Sequence, residues 1–182
     1  MNDRQHPVAG DTHGPAAITP NRVTPNGVTI KTIALVAHDH RKRDLAEWVA
    51  FNYGTLADHS IVCTGTTGLL IEQTLARRAA EEGQPAPRPI TKLRSGPLGG
   101  DQQLGAMIAE GRIDVLFFFW DPMEPQPHDV DVKALLRIAA VYNLPIACNR
   151  STADFMVSSP LLGQPYAPMV QDFSEYLGRK VD

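Results

Sequence analysis

Cysteine is scarce in this chain: Cys63 and Cys148 are the two present among 182 residues, each at the end of an apolar run. That usage excludes a disulfide framework and favours buried, reduced thiols over metal ligands, so a reducing compartment, the cytoplasm, is expected. Long hydrophobic runs are missing as well. The strongest, Val115 to Trp120, is far too short to span a bilayer, and the N-terminus has no apolar core of the signal-peptide kind, so a soluble, unexported protein without a membrane partner is expected. There is no basic excess either. A net charge of −3 and a pI near 6.0 leave no Lys/Arg-rich face for nucleic acid, while a small anion needs only a local cluster. No Walker-type Gly-Lys-Ser/Thr sequence occurs, which argues against a nucleoside triphosphate.

What is present suffices for one domain: 43% hydrophobic residues can build a sizeable core. Residues 1–29 contain Pro7, Pro15, Pro20 and Pro25 and no sustained periodicity, and read as a flexible extension before a catalytic domain over residues 30–182. From Thr32 the chain alternates. Short apolar runs at Thr32–Ala37, Ser60–Cys63, Ile90–Leu93, Asp114–Trp120 and Leu144–Cys148 predict strands. Between them, helical spacing recurs through Leu45, Trp48, Val49 and Leu56, over Leu69–Ala80, Asp101–Glu110 and Val132–Tyr142. Ser151 with Asp154 predicts a capping box for a further helix, and Val170–Leu177 predicts the last. The pattern implies an α/β, doubly wound sheet of about five parallel strands with helices on both faces, and a ligand at the carboxyl ends of the strands. The unusual polar segments all fall at that edge: His38 after the first strand, Thr64 after the second, Ser95 after the third and Asp121 after the fourth.

Ser95-Gly96-Pro97-Leu98-Gly99-Gly100-Asp101-Gln102-Gln103 puts a hydroxyl, three glycines and one carboxylate just before an amphipathic stretch. Glycine allows close main-chain approach, and the helix N-terminus behind it adds partial positive charge, so the run suits an oxyanion with an acid/base group one step away. A plain strand-to-helix turn would look similar. Thr64, Thr66 and Thr67, with Gly65 and Gly68, offer hydroxyls at a helix start, as a phosphate requires; the alternative is an ordinary N-cap at Thr66. Lys42 is a candidate countercharge or a solvated surface lysine. His38, Asp39 and His40 with His128, Asp129 and Asp131 admit a metal reading, but they lack metal-motif spacing, and acid/base work suits them better. For His128 the alternative is a loop histidine, and for Asp131 a helix cap.

Taken together, these motifs resemble the methylglyoxal synthase family over roughly residues 31–160. They are Val36-Ala37-His38-Asp39-His40 with Lys42, the Thr64–Gly68 and Ser95–Gln103 segments, Phe118-Phe119-Trp120-Asp121-Pro122, Pro127–Arg137, and Thr152-Ala153-Asp154-Phe155. The resemblance implies conversion of dihydroxyacetone phosphate to methylglyoxal and inorganic phosphate without cofactor or metal. It also implies a cytoplasmic homohexamer that phosphate inhibits.

By the same resemblance, Asp101 is the base that takes a proton from the hydroxyl-bearing carbon. His128, supported by Asp131, stabilises the enediolate, and His38 and Asp121 line the pocket. Lys42, Thr64, Thr66, Thr67, Ser95 and Gly96 hold the phosphate. Elimination needs the C–O bond roughly perpendicular to the enediolate plane, so the phosphate must be gripped in one rotamer by several donors. Two features depart from the family pattern, the long N-terminal extension and the lengthened Arg77–Pro89 connection, and the tail after Pro160 resembles the family only loosely. The competing reading is a non-catalytic, effector-binding regulatory module of the same fold, which has no need of Asp101, His128 and Asp131.

Overall fold

The apolar run Thr32–Ala37 forms strand β1, the middle of a five-stranded, wholly parallel sheet in the order β3-β2-β1-β4-β5. Its partners are β2 (Ser60–Thr64), β3 (Thr91–Leu93), β4 (Val115–Phe119) and β5 (Ile146–Ala147). This computed structural model describes residues 22–85, 87–123 and 129–178. The helices among them are α1 (Lys42–Phe51), α2 (Tyr53–Leu56), α3 (Gly65–Glu81), α4 (Gly100–Ala109), α5 (Asp129–Val141), α6 (Arg150–Val157) and α7 (Ser174–Leu177). No helix among the described residues is long and apolar enough to cross a membrane.

Alternation along the strands divides the core into two layers, as a sheet covered on both faces requires. Ile33, Leu35, Val115, Phe117 and Phe119 face α1, α3 and α6, meeting Leu45, Trp48, Ile71, Leu75 and Ala153. Ala34, Val36, Leu116 and Phe118 face α4 and α5, meeting Leu104, Ile108, Val132 and Leu135. Trp48 packs tilted against Phe117 and Phe119, with ring centroids 4.8 Å and 5.8 Å away, and its Nε1 donates to Asp154 Oδ1 at 2.8 Å. Burying each such aromatic contributes roughly 1.5–3 kcal/mol, and the indole hydrogen bond removes the desolvation cost of its one donor.

The expected doubly wound class is what forms, and β1 has the expected bounds. Element starts differ where polar residues occupy a first turn. α3 begins at Gly65, ahead of the expected Leu69, and its N-cap is Thr64, with extended backbone (φ −83°, ψ 139°), not Thr66. α6 is capped by Asn149, whose Oδ1 accepts from Thr152 N at 2.9 Å. Ser151 therefore lies inside the helix, and Asp154 serves Trp48 instead of a capping box. α7 starts only at Ser174, where Asp172 Oδ1 accepts from the Ser174 N–H at 2.9 Å. Within the segment read as an extension, residues 22–30 make a hydrogen-bonded turn. Val23 bridges Thr29, and the Thr29 N–H donates to Gly163 O at 2.8 Å, tying the turn to the chain beyond α6.

At the opposite edge of the sheet from the polar segments, His59 is 2% exposed, and its Nδ1 accepts from the Lys31 N–H at 3.2 Å. Burial is the largest cause lowering its pKa from 6.5; Lys31 and Arg88 add to it, against Asp58 and Asp114. A depressed folded pKa means that the unfolded chain binds the proton first, so stability falls as pH drops below about 6.5 towards the folded value. The urea midpoint should therefore decline between pH 7.5 and pH 5 in the wild type. His59→Gln, which has no titrating ring, should start lower and show a shallower decline. Parallel pH profiles for the two proteins would show that His59 is not the group responsible.

Candidate active site

The strand order reverses at β1. From β1 the chain winds outward through β2 to β3, then returns to place β4 on the other side of β1, so the loops after β1 and β4 diverge and leave a crevice. His38 follows β1 into that crevice. Its backbone N–H donates to Phe119 O at 3.3 Å, and its ring Nδ1 accepts from the Asp121 N–H at 3.2 Å. The ring stands edge-on to Phe118, with centroids 5.3 Å apart. A ring nitrogen that accepts carries no proton, so the neutral imidazole holds its proton on Nε2, the nitrogen suited to donate to an oxyanion. Asp121 is buried; its Oδ1 accepts from Met123 N at 3.1 Å, and its Oδ2 lies 3.9 Å from His40 Nδ1. The run His38-Asp39-His40 thus brackets Asp121 from two sides.

One strand over, the second cluster assembles around Lys42 at the start of α1. Its ammonium donates to Thr66 Oγ1 at 2.5 Å and to the carboxylate of Asp39. Thr66 is in the first turn of α3, beside the buried Thr64 and Thr67, and no acidic residue occupies that turn to offset the positive end of the helix. The lysine hydrogen bond pulls the Asp39 carboxyl below its usual value, and the lysine charge adds to it.

β3 brings the glycine-rich run alongside. Gly65 N donates to Arg94 O at 3.1 Å, and Gly65, at φ +38°, lies so close to Ser95 that a Cβ there would sit 2.7 Å from the Ser95 Cα. Ser95 O then accepts from both Leu98 N and Gly100 N, folding Gly96–Leu98 into a 3-10 turn that leads into α4. At Gly100 a Cβ would fall 2.0 Å from Arg94 O. Asp101, 8% exposed, is the next residue, in the first turn of α4. Asp101 and Asp131 line one groove between α4 and α5, about 290 Å³ in volume, with Gln102, Gly105 and Arg137. Asp131 lies inside the first turn of α5, which starts at Asp129, so it is not the residue just outside the helix.

Of the expected site residues, Lys42, Thr64, Thr66, Thr67, Ser95 and Gly96 gather at the ends of β2 and β3, and His38 and Asp121 at the ends of β1 and β4. Asp101 and Asp131 share the neighbouring groove. With adjacent strands about 4.8 Å apart, the four strand ends span roughly 14 Å. His128 lies outside the described residues. Among the described residues, no group of three or more His, Cys, Asp or Glu side chains is arranged to hold a metal ion. Neither thiol is poised as a nucleophile: burial pushes Cys63 up to about 12 and Cys148 also upward.

Two contacts escaped the sequence reading, although both residues lie in the motifs named there. Gln103 Oε1 accepts from Arg94 N at 2.9 Å and clamps the end of β3 to α4; its position in the polar start of a helix is the only sequence signal. Asp39 pairs with Lys42 three residues on, a spacing that faces two side chains on one helical surface.

Comparison with known proteins gives one family. A profile described as an MGS-like domain matches residues 44–148. The chain is 55% identical over 155 residues to the methylglyoxal synthase of Maridesulfovibrio salexigens, covering 84% of this chain and 98% of that protein. It is 53% identical over 150 residues to that of Cellvibrio japonicus, covering 82% and 90%. A crystal structure of methylglyoxal synthase from Elizabethkingia anophelis superimposes with a TM-score of 0.72 at 50% identity, covering 84% of this chain and 93% of the other.

The close approaches at the glycines generate a paired stability prediction. Gly100→Ala drives a methyl group into a backbone carbonyl and should destabilise the fold by about 2 kcal/mol or more. Gly54→Ala, in α2 with nothing within 4 Å of the added carbon, should be neutral or up to about 1 kcal/mol more stable, by helix propensity. Urea unfolding of both variants checks the contrast, and equal midpoints would contradict it.

Proposed function

Because the chain belongs to the methylglyoxal synthase family, we infer that it converts dihydroxyacetone phosphate to methylglyoxal and inorganic phosphate through an enediolate. The observation carrying this reading is identity above one half over nearly the full length of a protein named for that activity. The family reading gives each cluster a role. The Lys42 ammonium, the hydroxyls of Thr64, Thr66, Thr67 and Ser95, and the main chain at Gly96 and the start of α3 grip the phosphate. Asp101 removes a proton from the hydroxyl-bearing carbon, and the C–H electron pair becomes the double bond of the enediolate.

His128, supported by Asp131, and the Nε2–H of His38 donate to the developing oxyanion, while Asp121 fixes the His38 ring. The hydroxyl on the deprotonated carbon gives up its proton and becomes the aldehyde carbonyl, the enediolate double bond shifts to the methylene carbon, and the phosphate leaves with the C–O bond pair. The resulting enolate of methylglyoxal takes up a proton on that methylene carbon to become the methyl ketone. A fixed phosphate grip, holding the C–O bond out of the enediolate plane, selects elimination over isomerisation.

A cytoplasmic homohexamer inhibited by its product phosphate belongs to the same proposal. The two unpaired, reduced cysteines agree with a reducing compartment.

The direct test is purified protein with dihydroxyacetone phosphate and a chelator, assayed for methylglyoxal. Asp101→Asn should lose turnover by about three orders of magnitude or more while still binding inorganic phosphate, and His128→Gln should lose roughly two to three orders. Phosphate binding without methylglyoxal in the wild type would identify a regulatory module instead. Near-normal turnover in Asp101→Asn would remove its assignment as base.

A further inference from the structure

We propose that Asp39 competes with phosphate for Lys42 and thereby sets how tightly the site holds both the phosphorylated substrate and the phosphate it releases. The inference rests on the reading of Lys42 and Thr66 as phosphate ligands. Its grounds are the sharing of one ammonium. Lys42 donates to Thr66 Oγ1 at 2.5 Å and to the Asp39 carboxylate, so two of its three donors and part of its charge are already engaged. The two partners are unequally anchored. The Lys42 side chain is 22% exposed and lies between the start of α1 and the start of α3, whereas the Asp39 side chain is 80% exposed, at the first residue of the short turn before α1. Lys42 therefore stays in place when an anion arrives, and Asp39 is the group that must yield.

A phosphate bound to the same ammonium sits within about 6 Å of the carboxylate, and like charges at that range repel appreciably near a protein surface. The pairing keeps Asp39 ionised at neutral pH, so the penalty is always present. Its consequence for turnover is release. The enzyme must let go of a product carrying the very group by which it grips its substrate, and a carboxylate waiting beside the lysine reduces the affinity for both and returns to the ammonium as phosphate departs.

Asp39→Asn keeps an acceptor for Lys42 and removes only the charge; Asp39→Ala removes both. Calorimetric titration with inorganic phosphate should show both variants binding about tenfold more tightly than the wild type, with the gain shrinking at high salt because Asp39 is exposed. In turnover, KM and the phosphate inhibition constant should fall together and kcat should fall with them as release slows. A residue that merely positions Lys42 gives the opposite sign, so unchanged or weakened phosphate affinity in both variants overturns the proposal. Lys42→Ala separates the two layers of argument. If it loses phosphate affinity while the Asp39 variants behave as wild type, only the role of Asp39 fails. If it binds phosphate as the wild type does, the phosphate site itself has been misassigned, and this proposal goes with it.

Discussion

The parallel pairing of β1 with β4, in register from Ile33 against Val115 to Ala37 against Phe119, is the constraint from which the rest of the site follows. Two strands far apart in sequence end at the same level, and their following loops must part because the chain winds away from β1 on both sides. The Asp121 N–H meets the His38 ring only because those ends coincide. One backbone hydrogen bond then sets which imidazole nitrogen carries the proton, so the donor face of a side chain is decided by strand register.

In the proposed phosphate site, anion recognition rests on many weak, fixed groups with one well-anchored cation. Helix N–H groups, hydroxyls and one lysine offer a phosphate directional donors, while the overall charge of −3 keeps the long-range field from gathering anions indiscriminately. Such a site faces a conflict that a tighter one would worsen. Substrate and product share the group that is recognised, so grip and release oppose one another, and a carboxylate next to the lysine is a physically simple way to moderate the first in favour of the second.

Between these clusters the backbone itself is the packing element. Gly65 lies against Ser95 and Gly100 against the Arg94 carbonyl, at separations that no Cβ would permit. Gln103 then closes the same turn from within α4. These contacts hold the start of α4, and with it Asp101, at a fixed height relative to the ends of β2 and β3. The carboxylate owes its placement to main chain touching main chain, which is stiffer than a contact between flexible side chains.

Much of this was legible in the linear chain. Thr32–Ala37 reads as a strand because a strand covered on both faces must be apolar at every position, and that signal is local. The crowding of His38, Thr64, Ser95 and Asp121 at one edge follows from the alternation of strands and helices alone, since parallel strands carry their trailing loops to the same side. Local pattern fails where chemistry and structure use the same residue types. Thr64 caps α3 and Thr66 lies within it, and Asn149 takes the cap that Ser151 also suited, because a capping side chain is chosen by the backbone angles around it. Asp154 looks like part of a helix start until the fold brings Trp48 to it. The pairing of Lys42 with Thr66, the proton position on His38 and the meeting of Asp101 with Asp131 in one groove depend on distances across strands and helices. Periodicity and composition determine which elements form and which way they face. Contacts between residues distant in sequence are set by strand order and register, so only the tertiary structure decides them.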